Sequence, residues 1–409
     1  MTVTAAEAAA PLAAYARRFH ALTGGSTHHV ASPLGAWLLL ALVGPASSGE
    51  ERAALEEALG CDPAGAAGLA SALLENPHPL VGCAAGLWAG SLSGDLERWR
   101  SRLPAGVATG SIPSQDELDE WARRYTFGLI DRFPLDTSTA TVLLATALAT
   151  KVSWQQPFEL APAGALGPSS TWRERVRSVL RTPRGPGHQQ FIAPTAGAGE
   201  VAVQAARAAG GLLVVSVAAA PEVPAGAVLA AAYEIAPRLA LGERVPSRSL
   251  FDLAVGETPL WAITEQAAEV TGPDGREERC VAVLPAWSAR SQLDLSDPSL
   301  GLAAASGVFD PVDPWAARQA AMARFTREGF EAAAVTAVVR SASMIRGVPG
   351  LVRAAELRFG HPYAVVAVAI DGARDLAGAA GSGSAVASPW NGVPVFSAWV
   401  AEPEDAADG

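Results

Sequence analysis

Apolar residues recur at helical spacing through the first part of the chain. Three stretches, residues 5–22, 33–42 and 49–59, carry apolar positions three and four residues apart, which predicts three helices. Ser32 followed by Pro33 indicates the start of the second helix, because Ser caps a helix and Pro fits its first turn. Ser48 and Glu51 have the spacing of a capping box, which predicts the start of the third.

The next hundred residues combine both periodicities. A short strand is predicted around Leu87 and Trp88, and helices over residues 95–103 and 115–133, the second of which stops before Pro134. The run 141–154, TVLLATALATKVSW, is apolar throughout and rich in β-branched residues at its flanks. Such a run is typical of a strand buried on both faces, although periodicity alone leaves a helix possible. We predict that it is a central strand.

Short strand-like runs separated by Pro and Gly dominate the rest of the chain. They cover residues 200–205, 212–218, 250–253, 260–264 and 280–284, and their spacing predicts antiparallel sheet. Two further apolar runs, 364–370 and 393–400, are joined by a stretch rich in Gly, Ser and Ala, which predicts a hairpin with a long loop. Helices that come first and strands that follow indicate an α+β domain.

Composition narrows the class of protein. The chain has 409 residues, of which 50% are hydrophobic, and no charged or low-complexity linker divides it, so one large globular domain is expected. The net charge of −11 comes with scattered Lys and Arg, which argues against a nucleic-acid partner. No apolar run is long and unbroken enough to predict a membrane span.

Few residues suggest catalysis or metal binding. Cys61, Cys83 and Cys280 lack the spacing of a zinc site or a disulfide framework and are predicted to be buried thiols. His28 and His29 are adjacent, so on an extended segment they point to opposite faces, and no metal site is expected. Nucleophile elbows, phosphate loops and dinucleotide turns are not found in the sequence, so neither enzyme activity nor a cofactor is predicted.

One segment carries a specific motif. Residues 327–339, REGFEAAAVTAVV, resemble the hinge of the serpin family, in which Glu-Gly-Thr-Glu precedes small residues and Thr-Ala. The stretch 146–158 resembles the family strand that lies beneath the point where the reactive loop joins the main sheet. Lys151, the only Lys of the chain, and Trp154 fall on family positions there, and Thr146 opens the stretch.

The resemblance continues along nearly the whole chain in order. Residues 28–34 and 49–60 resemble the family's second and third helices, and residues 361–363 with 393–403 resemble its closing strands. Trp121, Thr126, Gly128 and Ile130 resemble the helix that crosses the main sheet. On these motifs the chain is identified as a member of the serpin family, of bacterial type.

The resemblance implies a fold and an activity. The expected fold is a single domain over 1–409, with helices packed on a large mixed or antiparallel main sheet, two smaller sheets, an exposed reactive loop at about 329–356 and a closing hairpin at about 363–400. The implied activity is suicide inhibition of a serine protease, which cleaves the loop and is trapped as an acyl-enzyme while the hinge becomes a new strand. The implied protein is a metastable monomer, extracellular as in most of the family. No signal peptide is visible, so a cytoplasmic location is the alternative.

The hinge and the reactive bond are assigned by the same resemblance. The hinge residues are Glu328, Gly329, Phe330, Glu331, Ala332, Ala333, Ala334, Val335 and Thr336. Mostly small side chains and the absence of Pro suit a segment that must become a middle strand. In isolation this Ala-rich stretch equally fits a surface helix.

The family's usual loop length places the scissile bond at Ser343–Met344, with Arg346–Gly347 as the alternative. The first bond suits an elastase-like or subtilisin-like protease, and the second a trypsin-like one. Phe330 and Val335 are larger than the family residues there and hinder insertion if no pocket accommodates them. The alternative function is therefore a non-inhibitory serpin that acts in binding or in assisting folding.

Overall fold

The fold was analysed in a computed structural model of the chain. The structure describes residues 5–23, 25–90, 94–133, 142–150, 152–270, 274–309, 315–329, 348–371 and 388–407. All structural statements below refer to these residues.

Eight α-helices lie in this part of the chain. They are α1 Ala5–Thr23, α2 Pro33–Val43, α3 Gly49–Leu59, α4 Pro63–Glu75, α5 Gly94–Arg100, α6 Gln115–Tyr125, α7 Ala225–Ala240 and α8 Leu302–Gly307.

Seventeen strands accompany these helices in the described residues. The first nine are β1 His29–Ala31, β2 Val81–Ala89, β3 Val107–Gly110, β4 Val142–Thr150, β5 Glu159–Pro162, β6 Ser178–Arg181, β7 His188–Thr195, β8 Gly199–Ala208 and β9 Leu212–Ala218. The others are β10 Gly256–Glu257, β11 Trp261–Val270, β12 Arg276–Leu284, β13 Trp287–Asp294, β14 Trp315–Phe325, β15 Val348–Arg358, β16 Tyr363–Ala369 and β17 Pro394–Val400.

The main sheet has five described strands in the order β13-β14-β4-β2-β3. β4 is its middle strand, and all nine of its residues are buried. Leu143, Ala145 and Ala147 belong to the apolar cluster that contains Leu118 and Trp121 of α6. Alternate residues of β4, such as Leu144 and Leu148, join the large core that contains α2. Because helices cover both faces, β4 is apolar without alternation, as the sequence predicted.

The described residues also form two six-stranded sheets, whereas two sheets smaller than the main one were expected. The second sheet has the order β1-β17-β16-β9-β8-β7, and β16 pairs antiparallel with β17 from Tyr363–Val400 to Val368–Pro394, in agreement with the predicted closing hairpin. The third sheet has the order β10-β11-β15-β12-β6-β5.

Helix α6 is shorter than the predicted 115–133. Its capping box, formed by Ser114 and Glu117, was not predicted, and its last residue is Tyr125. The Thr126 hydroxyl donates to the Ala122 carbonyl at 2.7 Å, and the next residue, Phe127, takes a left-handed φ of 56°. An apolar residue with positive φ cannot continue a right-handed helix, so apolar spacing alone overestimated the length of the helix.

Four other local predictions are corrected. Ser48 precedes α3, but its side chain makes no capping hydrogen bond, because Gly49 has a φ of 56° instead of a helical value. Residues Leu250–Asp252 form a 3₁₀ turn instead of a strand, and α4 was not predicted. The predicted loop range 329–356 is too long, since strand β15 begins at Val348. The three cysteines were predicted to be buried, but each is partly exposed to solvent.

Candidate functional site

Two parallel strands meet in the centre of the main sheet. β14 pairs with β4 in parallel register from Trp315–Val142 to Met322–Ala149. β4 is antiparallel to β2 on its other side, and β14 is antiparallel to β13. A strand placed between β4 and β14 with the opposite direction would therefore be antiparallel to both neighbours, which is the geometry of a regular antiparallel sheet.

The chain reverses direction immediately beyond β14. The Trp154 amide donates to the Glu328 carbonyl at 3.2 Å, and Gly329 forms an antiparallel bridge with Ser153. The Thr326 hydroxyl donates to the Gly329 carbonyl and so closes the turn. Gly329 therefore already runs antiparallel to the β4 side of the sheet. We call the region between the pair Met322–Ala149 and this bridge the sheet opening.

Gly329 occupies a position that excludes a side chain. Its φ is 118°, and an ideal Cβ would lie 1.9 Å from the Val152 carbonyl oxygen. Both facts demand glycine, since L-residues avoid this φ and the neighbouring atom is backbone. We call this turn at Gly329 the pivot, and it is a tight backbone contact with the segment after β4.

An aromatic cluster lies beside the sheet opening. The ring of Trp154 lies 4.8 Å from Phe325, and its Nε1–H donates to the Thr326 carbonyl at 2.9 Å. Phe158 lies 5.4 Å from Phe325 and 4.6 Å from the ring of His188. Burial lowers the pKa of His188, although its bond to the Gln156 carbonyl acts in the other direction. The His188 side chain is therefore neutral at pH 7, and the end of β14 is held by ring packing.

A buried polar contact joins the two parallel strands lower in the sheet. Gln319 of β14 and Thr146 of β4 are paired residues, and the Gln319 Nε2 donates to the Thr146 hydroxyl at 3.2 Å. Gln319 also exchanges two hydrogen bonds with the backbone of Ser32, the residue that caps α2. All three residues are at most 1% exposed. Any strand inserted between β4 and β14 must separate Gln319 from Thr146.

The helix beneath this contact approaches the sheet very closely. An ideal Cβ on Gly35 would lie 2.9 Å from the Thr146 hydroxyl oxygen. The Ser32 side chain accepts from the Gly35 amide at 3.1 Å and donates to the Val395 carbonyl at 2.8 Å. The start of α2 therefore connects the centre of the main sheet to β17 of the second sheet.

The structure describes part of the predicted site. Thr146 lies in β4 below the sheet opening, and Trp154 lies beside the opening in the segment after β4. Glu328 and Gly329 lie in the turn after β14. Lys151, hinge residues 330–336 and both candidate reactive bonds, Ser343–Met344 and Arg346–Gly347, lie outside the described residues.

Sequence reasoning missed two residues of this site. Gln319 and Phe325 were not singled out, and Ser32 was recognised only as a helix cap. A signal for Gln319 exists, since this neutral polar residue directly precedes the apolar run AAMA in a predominantly Ala-rich segment. Buried polar side chains need hydrogen-bond partners, so such a residue indicates a specific contact.

Metal and membrane features were also sought. Among the described residues no group of three or more His, Cys, Asp or Glu could hold a metal ion. No helix in these residues is both long and apolar enough to cross a bilayer.

Comparison with known proteins shows which solved structures share this architecture. No protein-family model and no curated protein sequence matches the chain. Among solved structures, the thermophilic serpin Tengpin in its native state matches with a TM-score of 0.63 and 12% identity over 96% of this chain and 93% of that one. The chain has the serpin fold.

Other solved serpins match to a similar extent. Human thyroxine-binding globulin in complex with thyroxine has a TM-score of 0.62 and 12% identity, and covers 98% of this chain and 99% of its own. The native stressed form of AtSerpin1 from Arabidopsis has a TM-score of 0.59 and 15% identity, with 97% of each chain covered. The serpin fold predicted from sequence motifs is thus confirmed at the level of architecture.

Proposed function

We propose that the protein inhibits serine proteases by inserting its cleaved hinge between β4 and β14. The observation that carries this proposal is the parallel pair β4–β14 at the centre of the main sheet, together with the reversal at Gly329. Residues that continued from Gly329 along this line would run antiparallel to both strands. In this proposal the attacking protease cleaves the loop, and the inhibitor itself undergoes a conformational change.

Insertion fits the packing on both faces of the sheet. A new middle strand would face the α6 cluster on one side and the α2 core on the other, since β4 does so residue by residue. Ala332, Ala333 and Ala334 are small enough to fit between covered faces. The larger Phe330 follows Gly329 in the sequence, so on insertion it would enter the sheet beside the aromatic cluster, which already accommodates bulky rings.

Energetics favour the inserted form. Insertion replaces one hydrogen-bonded ladder by two, which adds up to one net bond per inserted residue. At about 0.5–1.5 kcal/mol for each bond, ten residues contribute on the order of 10 kcal/mol. This is comparable to the folding free energy of an ordinary domain, about 5–15 kcal/mol, so the uncut form must persist kinetically.

Three measurements test the proposal. The protein is mixed with trypsin, chymotrypsin, elastase and subtilisin, and the products are examined for an adduct that survives SDS and for the cleaved bond by mass spectrometry. We expect an adduct with at least one protease and a clear rise in the melting temperature of the cleaved protein. Cleavage of the loop with neither an adduct nor a higher melting temperature rejects insertion.

A matched pair of variants separates insertion from cleavage. Ala334→Arg places a long charged side chain where the sheet would be covered on both faces, so adduct formation should be lost while the loop is still cut. Ala54→Arg, at an exposed position of α3, introduces the same side chain outside the sheet and should leave the adduct unchanged.

A binding function is the second candidate. The bulky Phe330 and Val335 favour it because they slow insertion. One of the similar solved structures is a globulin named for binding thyroxine, so the fold is also found in a protein that binds a small molecule. This candidate is supported if the loop is cleaved and none of the four proteases is trapped.

A further inference from the structure

The strand that follows the reactive loop is held on both sides. β15 pairs with β11 in antiparallel register from Val348–Val270 to Leu357–Trp261. On its other side it pairs in parallel with β12, from Leu351–Arg276 to Arg358–Val283. β11 and β12 are consecutive in the chain, and both flank β15. The first residue of β15, Val348, is therefore a fixed point at which the loop ends.

Chain length limits how far a bound protease can be from this point. The candidate scissile bonds lie between Ser343 and Gly347, at most five residues before Val348. Five extended residues span at most about 18 Å. A compact domain of about 230 residues, the size of a small serine protease, has a radius of gyration of about 17 Å. The active site of a protease that attacks either bond is therefore within about 18 Å of the sheet end where Val348 pairs with Val270, which brings β11 within reach of the protease surface.

Within the described residues, the outer edge of β11 is unpaired at this end. β10 pairs with β11 only through Gly256–Ile263 and Glu257–Ala262. From Thr264 to Val270, no described strand pairs with the outer edge of β11. Residues 264–267 and Glu269 are exposed, although they are paired with β15 on the inner side. Exposed strand edges are normally short or protected, because they offer unpaired backbone groups to other chains.

The charges on this edge are acidic. Glu265 and Glu269 are four residues apart on one strand, so their side chains point to the same face. The Glu265 carboxylate accepts from Arg353 Nε at 2.8 Å. Glu269 lies opposite Pro349, one residue from the fixed point Val348. A partner that docks here gains from positive charge opposite Glu269 and from hydrogen bonds to the open strand edge.

We propose that residues 264–269 of β11 form a second contact surface for the protease that attacks the loop, and that this surface favours proteases with a basic rim. The inference takes one element from the proposed function, namely that a serine protease approaches and attacks the loop. It does not require that the protease be trapped. The surface raises the rate of docking and so selects among proteases that accept the same loop sequence.

Cationic and anionic trypsin provide a direct test, because they share cleavage specificity and differ in surface charge. The loop carries Ser343→Arg in every sample, so that both enzymes cut at the candidate bond. Glu269→Lys should reduce the second-order rate of loop cleavage by cationic trypsin about threefold or more at 50 mM salt, and should not reduce the rate with anionic trypsin. At 0.5 M salt the difference should disappear, because ions screen the interaction.

The control is Glu57→Lys, the same charge change at an exposed position of α3. Equal rates for Glu269→Lys and Glu57→Lys with both trypsins overturn the proposal. Cleavage is measured whether or not an adduct forms. A charge effect without an adduct therefore supports this contact surface and rejects the inhibitory function. An adduct without a charge effect supports the inhibitory function and rejects this contact surface.

Hydrogen exchange gives an independent measurement. In a complex with trypsin whose catalytic Ser is replaced by Ala, amides of residues 264–269 should exchange more slowly than in the free protein, while those of α3 should be unchanged. Unchanged exchange across 264–269 in the saturated complex contradicts the contact.

Discussion

Gly329 pairs antiparallel with Ser153, although β14, which leads to it, runs parallel to β4. The reversal takes only the residues after Phe325, and the carbonyl of Gly329 accepts from the Thr326 hydroxyl. At Gly329 the chain therefore already has the direction that the proposed inserted strand requires. Four predictions follow from the geometry around this point and from the buried polar groups of the molecule.

The first prediction concerns the turn itself. Gly329→Ala adds a methyl group where an ideal Cβ lies 1.9 Å from the Val152 carbonyl oxygen, at a φ of 118°. We expect the uncut protein to lose about 2–4 kcal/mol of unfolding free energy through strain and overpacking. Chemical unfolding of the uncut protein measures the loss. Gly197→Ala is the control, because nothing lies within 4 Å of its ideal Cβ, and it should change stability by less than about 0.5 kcal/mol. Equal effects of the two substitutions contradict the turn geometry.

The second prediction concerns the polar contact between the parallel strands. Thr146→Val keeps the shape of the side chain but removes the hydroxyl that accepts from Gln319 Nε2. The uncut form should lose about 0.5–1.5 kcal/mol. The cleaved form should be unaffected if a strand separates β4 from β14 there, since the contact is then absent. Melting curves of the uncut and cleaved proteins, each compared with wild type, provide the measurement. An equal shift in both forms is incompatible with insertion at this level of the sheet.

The third prediction concerns pH. His20 Nδ1 lies 3.0 Å from His29 Nε2, and His20 Nε2 lies 2.6 Å from the Ser397 hydroxyl, which also accepts from the Tyr233 hydroxyl at 2.8 Å. Burial and the neighbouring His29 lower the pKa of His20 from 6.5 to about 3. Burial also lowers the pKa of His29. Both imidazoles are therefore neutral at pH 7, and one N–H between them suffices for their hydrogen bond.

A lowered pKa means that the unfolded chain binds protons that the folded chain does not bind. The contribution to stability is therefore complete above about pH 6.5 and is lost as the pH falls from there towards 3. His20 alone should remove about 1.4 kcal/mol of unfolding free energy for each pH unit below about 6.5. His20→Gln should make the dependence between pH 6.5 and 4.5 shallower, as measured by urea unfolding. Ser397→Ala, which keeps both histidines, should retain the slope. A slope that His20→Gln leaves unchanged rejects this origin.

The fourth prediction concerns the hinge sequence. Phe330→Thr restores the smaller residue that the serpin family usually carries beside the pivot. If insertion limits trapping, the variant should yield more adduct and less cleaved, released protein with the same protease. The ratio of adduct to cleaved product on SDS gels gives the measurement. Val335→Ala is the matched change deeper in the hinge. A lower adduct yield for Phe330→Thr indicates instead that the sheet opening is adapted to the phenyl ring.

Much of the architecture could be predicted from the sequence. Apolar spacing located α1, α2 and α3, and the unbroken run at 141–154 located β4. The motifs around Trp154 and Gly329 indicated which segments meet at the sheet opening. These signals are local: the period of apolar residues sets helix or strand, and glycine marks a backbone position that side chains exclude.

Other features depend on residues that are distant in the chain. The contact of Gln319 with Ser32 and Thr146 and the placement of β15 between β11 and β12 leave little trace in local sequence. Each results from the pairing of groups separated by many residues, and such pairing is decided when the chain buries its polar groups together. The sequence by itself determined the fold class, and it predicted the position of the hinge. Only the tertiary structure decided that two parallel strands lie side by side at the centre of the main sheet, because strand order depends on which apolar faces cover one another and not on the period of any single strand.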